Sequence, residues 1–256
     1  DLKLALTCGE ETDSAFNGAQ YLVDHERALI DAAFAINEGA GGKLDENGKR
    51  VALEVEAGEK VYQDFRLEVT NPGGHSSQPV KDNAIYRLSR ALLRLDGYEF
   101  PVQINDTTRT YFTRLAAIKG GKTGEAMLAL VKNPLDAAAD VEVSKDKAWH
   151  SMLRTTCVAT MLDAGHAVNA LPQRARANVN CRIFPGNSID AIRQTLVKVI
   201  GDEAVSVKPV EPVSVGAPAP PLPKSILGTV DALARETYPG TPVIPVLRSE
   251  EHTSEL

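Results

Sequence analysis

The order of hydrophobic periods between residues 59 and 209 constrains the fold of this chain more than any other feature. Residues 65–69 alternate apolar and charged side chains, the period of a half-buried strand. Apolar residues after Asp82 recur at helical spacing. Four further elements follow: strands at about 153–162 and 174–184, an amphipathic helix at 189–200 and a strand at 204–209. The order β-α-β-β-α-β is that of the split βαβ plan, a self-contained α+β unit.

The segments on either side of this unit have a pattern typical of an α/β sheet. Residues 2–6 and 32–36 are short apolar runs that predict strands, and Asn17 is placed to cap a helix through about Arg27. Residues 51–55 predict a strand that forms a hairpin with the preceding segment. After a Pro-rich stretch, the α/β pattern resumes with a helix at 225–236 and a strand at 243–247. We therefore predict an α/β domain interrupted by an inserted α+β domain of split βαβ type.

The predicted domain bounds follow from these changes of pattern. They are 1–58 for the first part of the α/β domain, 59–211 for the inserted domain with a mainly helical insertion at about 97–150, 212–247 for the second part of the α/β domain, and 248–256 for a tail. Residues 248–256 resemble the in-frame translation of a sequencing adapter, and a genuine polar tail is the alternative. The chain also opens in mid-strand, without Met or a signal peptide. We expect a natural fragment, 1–247, truncated at both ends, and the compartment is unknown.

Composition argues against several classes of protein. With 43% hydrophobic and 24% charged residues, the chain of 256 residues resembles ordinary globular proteins. Its net charge of −6 argues against a nucleic-acid partner, because phosphates require clustered Lys and Arg. Apolar runs are far shorter than the ~20 residues of a membrane span. Its 3 cysteines are too few and too scattered to predict a disulfide framework or a cysteine-based zinc site.

Three glutamates follow the predicted strands of the first segment. Glu10 and Glu11 come after the strand at 2–6, in a loop at the carboxyl end of a buried strand, where open α/β sheets place their chemistry. One of two adjacent carboxylates can bind a metal while the other reaches the water beside it. Glu38 lies similarly after the strand at 32–36, next to glycines that allow close approach. Solvated surface carboxylates are the alternative at all three positions.

Three polar residues of the inserted domain are further candidates. His75 is flanked by small residues that leave an imidazole exposed and movable, and a surface histidine is the alternative. Arg182 lies within a predicted strand, where a guanidinium must find a partner or line a cleft; substrate carboxylate binding and an internal ion pair both satisfy it. Asn169 lies in a turn, and an ordinary turn residue is its alternative reading.

Taken together, six short motifs resemble one family in order and separation. The motifs are Thr7-Cys8-Gly9-Glu10-Glu11, Ile36-Asn37-Glu38-Gly39, Asn71-Pro72-Gly73-Gly74-His75-Ser76, Asn169-Ala170-Leu171-Pro172, Asn180-Cys181-Arg182-Ile183-Phe184-Pro185 and Pro242-Val243-Ile244-Pro245. The chain resembles, over residues 1–247, the dinuclear zinc amidohydrolases and metallopeptidases that include aminoacylase, glutamate carboxypeptidase and succinyl-diaminopimelate desuccinylase. The resemblance implies a zinc-peptidase-like α/β catalytic domain, present in part, with an inserted lid and dimerisation domain.

The resemblance also implies a role for each candidate in the first segment. Glu10 would be the general base, Glu11 a zinc ligand and Glu38 a ligand to the other zinc. The implied cofactor is zinc, two ions per site in the full-length protein, replaceable by cobalt or manganese.

In the inserted domain, the resemblance implies residues that bind the substrate and stabilise the reaction. His75 would reach from the lid into the partner subunit's site and stabilise the oxyanion. Asn169 and Arg182 would hold the substrate, Arg182 by its terminal carboxylate. The insertion at 97–150 is longer than in the simplest family members and is similar to that of the carboxypeptidase and N-acyl amino acid hydrolase branch.

The implied activity is zinc-dependent hydrolysis of an amide or peptide bond next to a free carboxylate, by metal-activated water with a Glu general base. The substrate would be a small peptide or an N-acyl amino acid, and the protein a homodimer through the lid. Family members carry a His-x-Asp motif and a bridging Asp before the Glu pair, and a last His near the C-terminus. We find none of these ligands in residues 1–247. We therefore expect the fragment itself to be inactive and its parent to be an enzyme. A non-catalytic binding or dimerisation scaffold of the same fold is the alternative.

Overall fold

A computed structural model describes residues 2–9, 16–37, 40–216, 218–219 and 221–249. The chain divides into a small unit, which contains the described residues between 2 and 37, and a large unit over Ala40–Glu250. Each unit is described by itself.

The described residues form helices and strands with the following bounds. The helices are α1 (Gly18–His25), α2 (Arg27–Ile30), α3 (Ala84–Asp96), α4 (Asp106–Lys119), α5 (Gly121–Lys132), α6 (Ala137–Val143), α7 (Lys147–Met152), α8 (Ile189–Ile200) and α9 (Lys224–Thr237). The strands are β1 (Gly42–Leu44), β2 (Arg50–Thr70), β3 (Gly74–His75), β4 (Thr156–Ala164), β5 (Ala170–Leu171), β6 (Arg174–Ile183), β7 (Ser206–Pro209) and β8 (Val243–Ser249). Within these ranges, no helix is long and apolar enough to cross a membrane.

In the small unit, the predicted helix is present and the two predicted strands are not. The Asn17 side chain accepts a hydrogen bond of 2.9 Å from the backbone N–H of Gln20 and caps α1, as predicted. Residues 2–6 and 32–36 form no strand, and Leu4 and Ile36 are exposed. The strand prediction is wrong for both segments. A strand persists only where its backbone groups find a paired neighbour, and the described residues provide none for either segment.

The strand β2 is the central element of the large unit because it belongs to two sheets. Its first half pairs with β1 antiparallel and with β8 parallel. Its second half pairs with β6 and β7, both antiparallel. The register of β2 against β8 shifts between Glu56 and Gly58, just before the partners change. The strands predicted on either side of residue 58 are therefore one continuous strand.

The inserted domain has the predicted split βαβ fold. Its sheet has the order β4-β6-β2-β7, with all neighbours antiparallel. Phe65 and Leu67 on β2 are fully buried and belong to one hydrophobic core with Leu88 of α3 and Leu196 of α8. The alternate residues of β2 and β6 form the opposite, polar face of the sheet. The two helices thus cover one face and leave the other for polar side chains.

The long insertion is mainly helical, as predicted, and has a hydrophobic core of its own. The helices α4 to α7 bury Phe112, Met127 and Leu153 together with Ile244 of β8. A reciprocal cap begins α4, since the side chains of Asn105 and Thr108 each accept from the backbone N–H of the other. The insertion therefore packs against the α/β sheet and continues its core.

One disulfide joins the inserted domain's two neighbouring strands, which the scattered cysteines did not predict. Cys157 on β4 lies opposite Cys181 on β6 in register, and the two are bonded. The two cysteines meet because of the register of β4 against β6. Their separation of 24 residues in the sequence does not predict that register. Cys8 is a free, exposed cysteine.

Candidate active site

The structure describes three of the six predicted site residues. Glu10, Glu11 and Glu38 lie outside the described residues, so their predicted roles stay predictions. His75, Asn169 and Arg182 all lie in the inserted domain.

The loop that carries His75 depends on two glycines. Gly73 has a φ of 80° and Gly74 a φ of 147°, backbone conformations that side chains disfavour. A Cβ on Gly73 would lie 2.6 Å from Cγ of Gln173, closer than atoms can approach. The Asn71 side chain accepts a hydrogen bond of 3.2 Å from the backbone N–H of Gly73 and fixes the start of the turn. The small residues before His75 thus set the path of the loop and leave its imidazole exposed.

A local hydrogen bond determines which nitrogen of His75 carries the proton. The backbone N–H of Ser77 donates to Nδ1 of His75 over 3.2 Å, and the Ser77 hydroxyl lies 2.8 Å from the same atom. Because Nδ1 accepts, we assign the proton of the neutral ring to Nε2. The neutral side chain can therefore act as an N–H donor.

Asn169 lies beside His75. The backbone N–H of Ser76 donates to the carbonyl oxygen of Asn169 over 3.0 Å, and His75 pairs with Ala170 between β3 and β5. Both His75 and Asn169 are exposed. Two loops that are distant in sequence thus bring these two predicted residues together at one end of the sheet.

Arg182 lies at the other end of the same sheet. Thr70, next to the His75 loop, pairs with Arg174, and Arg182 follows eight residues later on β6. Eight residues of strand span about 26 Å. Within one copy of the chain, the structure therefore does not bring Arg182 together with His75 and Asn169.

A network on the polar face surrounds Arg182. Its guanidinium carbon lies 4.8 Å from the ring centroid of Tyr62. The Tyr62 hydroxyl donates to Asp64 over 2.7 Å, and the amides of Asn178 and Asn180 each donate to Asp64 over 2.9 Å. Partial burial opposes ionisation of Asp64, but these hydrogen bonds and the charge of Arg182 outweigh it and lower the pKa of the carboxyl. Asp64 is therefore a stable anion within a set of polar donors.

Lys60 is a buried cation next to this network. Its Nζ donates to the carbonyl oxygen of Ser151 over 3.0 Å and to Oγ1 of Thr156 over 3.1 Å. The residue is only 2% exposed. Burial, followed by the charges of Arg182 and Arg154, lowers the pKa of Lys60 to about 7. Packing of the insertion against β2 therefore buries the amine of Lys60 close to Arg182 and lowers its pKa.

Sequence reasoning did not identify these neighbours of Arg182. The period of two assigns Tyr62 and Asp64 to the polar face of β2, which was a usable signal. That Arg182 lies opposite Tyr62 depends on the strand register, which alternation leaves undetermined. The burial of Lys60 depends on the packing of the insertion, about which the local sequence says nothing.

The described residues do not form a metal site by themselves. Within the ranges that the structure describes, no group of three or more His, Cys, Asp or Glu side chains could hold a metal ion. The two predicted zinc ligands supply two carboxylates, whereas zinc takes four ligands. Further ligands would therefore be needed to complete a zinc site with Glu11 and Glu38.

The inserted domain is thus an antiparallel split βαβ sheet, with helices on one face, Arg182 on the other, and His75 and Asn169 in loops at one end. Residues 57–208, more than half of the chain, match the family described as "Peptidase dimerisation domain" (M20_dimer). The chain therefore belongs to the M20 peptidase dimerisation-domain family. This membership confirms the resemblance to the metallopeptidases and amidohydrolases, and the fold class.

Several known proteins are similar to the chain. It is 26% identical over 207 residues to the human N-fatty-acyl-amino acid synthase/hydrolase PM20D1, a match that covers 78% of this chain and 40% of the relative. It is 25% identical to the probable carboxypeptidase S-like 2 of Dictyostelium discoideum, covering 74% of this chain and 36% of the relative. The chain thus spans about 40% or less of the length of these relatives.

The fold is also found among solved structures. The M20 family metallo-carboxypeptidase Sso-CP2 from Sulfolobus solfataricus matches with a TM-score of 0.52 and 20% identity, over 93% of this chain and 55% of that chain. At this identity, the likeness concerns the fold alone.

Proposed function

We propose that the protein containing this chain hydrolyses an amide or peptide bond next to a free carboxylate. The observation that carries the proposal is Arg182 on the open polar face of an M20 dimerisation domain. The similar proteins are named for N-fatty-acyl-amino acids and as carboxypeptidases. N-acyl amino acids and peptide C-termini share one chemical unit, an amide followed by a free carboxylate. Small peptides or N-acyl amino acids are therefore the proposed substrates.

In this proposal, Arg182 binds the substrate's carboxylate. A guanidinium offers two parallel N–H groups that match the two oxygens of a carboxylate. Arg182 is partly exposed, and its guanidinium is a donor-only cation, so it suits this role.

His75 would stabilise the oxyanion that forms when the amide carbonyl is attacked. Its Nε2–H, in the tautomer favoured by the Ser77 hydrogen bond, is the donor for this purpose. Removing one such donor typically costs about 2.7–4 kcal/mol of transition-state stabilisation. Asn169, held next to His75 by the backbone, would contact the same part of the substrate.

The separation of these residues supports a site shared between two copies of the chain. His75 and Asn169 lie about 26 Å along the sheet from Arg182, which exceeds the size of one amino acid substrate. A homodimer would let the His75 loop of one copy complete the Arg182 site of the other. The strand β4 lies at the edge of the sheet and exposes Val158, Met161 and Leu162, so it suits pairing with a second copy.

Glu10, Glu11 and Glu38 complete the proposal. Glu10 would be the general base, and Glu11 and Glu38 would contribute ligands to two zinc ions, with cobalt or manganese as replacements. Zinc, when bound, lowers the pKa of water from 15.7 towards about 7 and so supplies a nucleophile at neutral pH. Glu10, as the general base, would accept a proton from the attacking water and pass it to the leaving amine. The 256-residue chain by itself is proposed to be inactive.

Hydrolysis of a panel of N-acyl amino acids and dipeptides tests the proposal. The assay is made on the 256-residue chain and on the product of the complete reading frame that contains it. We expect activity from the complete product, its loss with a chelator, and its recovery with zinc. Glu10→Gln should abolish turnover while the metal content, measured by mass spectrometry, is unchanged. A complete product that binds these compounds without hydrolysing them would identify a binding scaffold instead, and activity insensitive to chelators would refute the role of zinc.

A further inference from the structure

Tyr62 and Arg182 form a stacked pair across two strands. They lie directly opposite each other in the register of β2 and β6, so their side chains leave the same face of the sheet. The guanidinium carbon lies 4.8 Å from the ring centroid, within the range of a cation–π interaction. The tyrosine ring is therefore a support for the arginine on the open face of the sheet.

The tyrosine ring is itself fixed from its far end. The Tyr62 hydroxyl donates to Oδ2 of Asp64, two residues further along the same strand face, over 2.7 Å. The other oxygen of Asp64 accepts from the amides of Asn178 and Asn180 on β6. Rotating the ring away from Arg182 would break the hydroxyl's hydrogen bond. The network thus ties the ring to both strands.

Stacking on Tyr62 does not itself use the N–H groups with which an arginine binds a carboxylate. Cation–π stacking uses the flat face of the guanidinium, whereas a carboxylate is bound by the N–H groups at its edge. The cation–π interaction therefore does not exclude carboxylate binding by the same guanidinium. A partly exposed arginine otherwise loses substantial rotamer entropy when it becomes ordered on binding.

We propose that Tyr62, anchored by Asp64, is a positioning residue that holds the Arg182 guanidinium in the orientation that binds the substrate's carboxylate. This inference rests on the proposed function of Arg182. Tyr62 itself does not contact the reacting atoms in this proposal.

The positioning is tested first without any substrate. The ¹⁵N relaxation of the Arg182 Nε–H group is measured in the 256-residue chain, in Tyr62→Leu and in Tyr62→Phe. We expect the order parameter of this group to fall in Tyr62→Leu and to fall less in Tyr62→Phe, which keeps the ring but loses the bond to Asp64. Arg176, whose Nε donates to Asp163 over 3.2 Å, is the internal reference that should not change. An unchanged order parameter of Arg182 in Tyr62→Leu would show that the ring does not position it.

The functional consequence is tested in the active product of the complete reading frame. Each N-acyl amino acid is compared with its neutral carboxamide, and the ratio of kcat/KM values measures carboxylate recognition. We expect Tyr62→Leu to raise KM for the acid about five- to tenfold, with kcat within about twofold, and to leave the amide unaffected. Tyr238→Leu is the matched control, because Tyr238 stacks under Arg50 at 5.1 Å in a second pair of the same kind. This control should change neither KM value.

Arg182→Ala separates the failure of this inference from the failure of the proposed function. If Arg182→Ala leaves the ratio of acid to amide unchanged, the proposed carboxylate site is wrong. If Arg182→Ala removes the preference for the acid but Tyr62→Leu does not alter it, the carboxylate site stands and the positioning role of Tyr62 is refuted. Tyr62→Phe, which conserves the fold most closely, should recover most of the preference that Tyr62→Leu loses.

Discussion

Replacing Lys60 with methionine is expected to change how the stability of the chain depends on pH. The ammonium group is 2% exposed, and the acceptors that the structure gives it, on Ser151 and Thr156, are neutral oxygens. Burial and the charges of Arg182 and Arg154 lower the pKa of Lys60 from 10.5 to about 7. Methionine keeps a similar length and removes the titrating group.

The direction of this pH dependence follows from the number of protons bound by the folded and the unfolded chain. Between pH 7 and 10.5 the unfolded chain holds a proton on Lys60 that the folded chain releases, so the free energy of unfolding rises with pH. The slope is about 1.4 kcal/mol per pH unit, which gives about 2 kcal/mol between pH 7 and pH 9. Below pH 7 the full penalty of the buried charge, about 5 kcal/mol, is present, and it disappears as the pH approaches 10.5.

Urea unfolding of the wild type and of Lys60→Met, measured from pH 7 to pH 9, tests this expectation. The wild type should gain about 2 kcal/mol relative to the variant over this range. Lys81→Met, at an exposed lysine, corrects for the loss of one positive charge. Parallel curves for the wild type and Lys60→Met would refute the lowered pKa. The ¹³Cε shift of Lys60 in the wild type gives the same answer directly, through a titration midpoint near pH 7.

Three further outcomes are expected of the 256-residue chain. Reducing the bond between Cys157 and Cys181 should lower the free energy of unfolding by about 3.5 kcal/mol, because the bond closes a loop of about 24 residues in the unfolded chain. Equal urea midpoints with and without reductant would contradict this expectation. Leu162→Lys on the exposed edge of β4 should convert the proposed homodimer into a monomer in light scattering, with an unchanged circular dichroism spectrum; equal masses for the variant and the wild type would contradict pairing through this edge. Gly73→Ala should destabilise the loop of His75 by about 1 kcal/mol or more, because the new Cβ would overlap the Gln173 side chain. A variant with the thermal stability of the wild type would show that the Gln173 side chain can move aside.

The sequence predicted the inserted domain far better than the small unit, for a physical reason. Alternation and helical spacing over residues 59–209 record which side of each element is buried in a core that the same residues build. The apolar runs at 2–6 and 32–36 carry an equally clear signal. However, strand formation depends on a hydrogen-bonded neighbour, and the described residues supply none for these runs. A local apolar pattern therefore predicts a buried strand only where a neighbouring segment pairs with it.

The sequence singled out candidate site residues, but it did not predict how they lie relative to one another. The short motifs singled out His75, Asn169 and Arg182, and the structure places the first two together. The 26 Å of strand that separates them from Arg182 depends on the register of β6, which no motif records. The same register places Tyr62 under Arg182. A shift of β2 by one residue would move Tyr62 to the buried face of the sheet, so the proposed carboxylate site depends on strand pairing as much as on Arg182 itself.

Arg182 and His75 also differ in their distance from the junction between the two sheets. Arg182 pairs with Tyr62, two residues beyond Lys60, where β2 last pairs with β8 of the α/β sheet. Any rotation of the split βαβ sheet about this junction displaces a residue in proportion to its distance from the junction. A rotation of about 10° would move the far end of β6, ten residues or about 33 Å of strand from Lys60, by about 6 Å, while Arg182, level with the second residue after Lys60, would move by only about 1 Å. A carboxylate bound at Arg182 would therefore keep its place relative to the α/β sheet while the His75 loop approaches or withdraws.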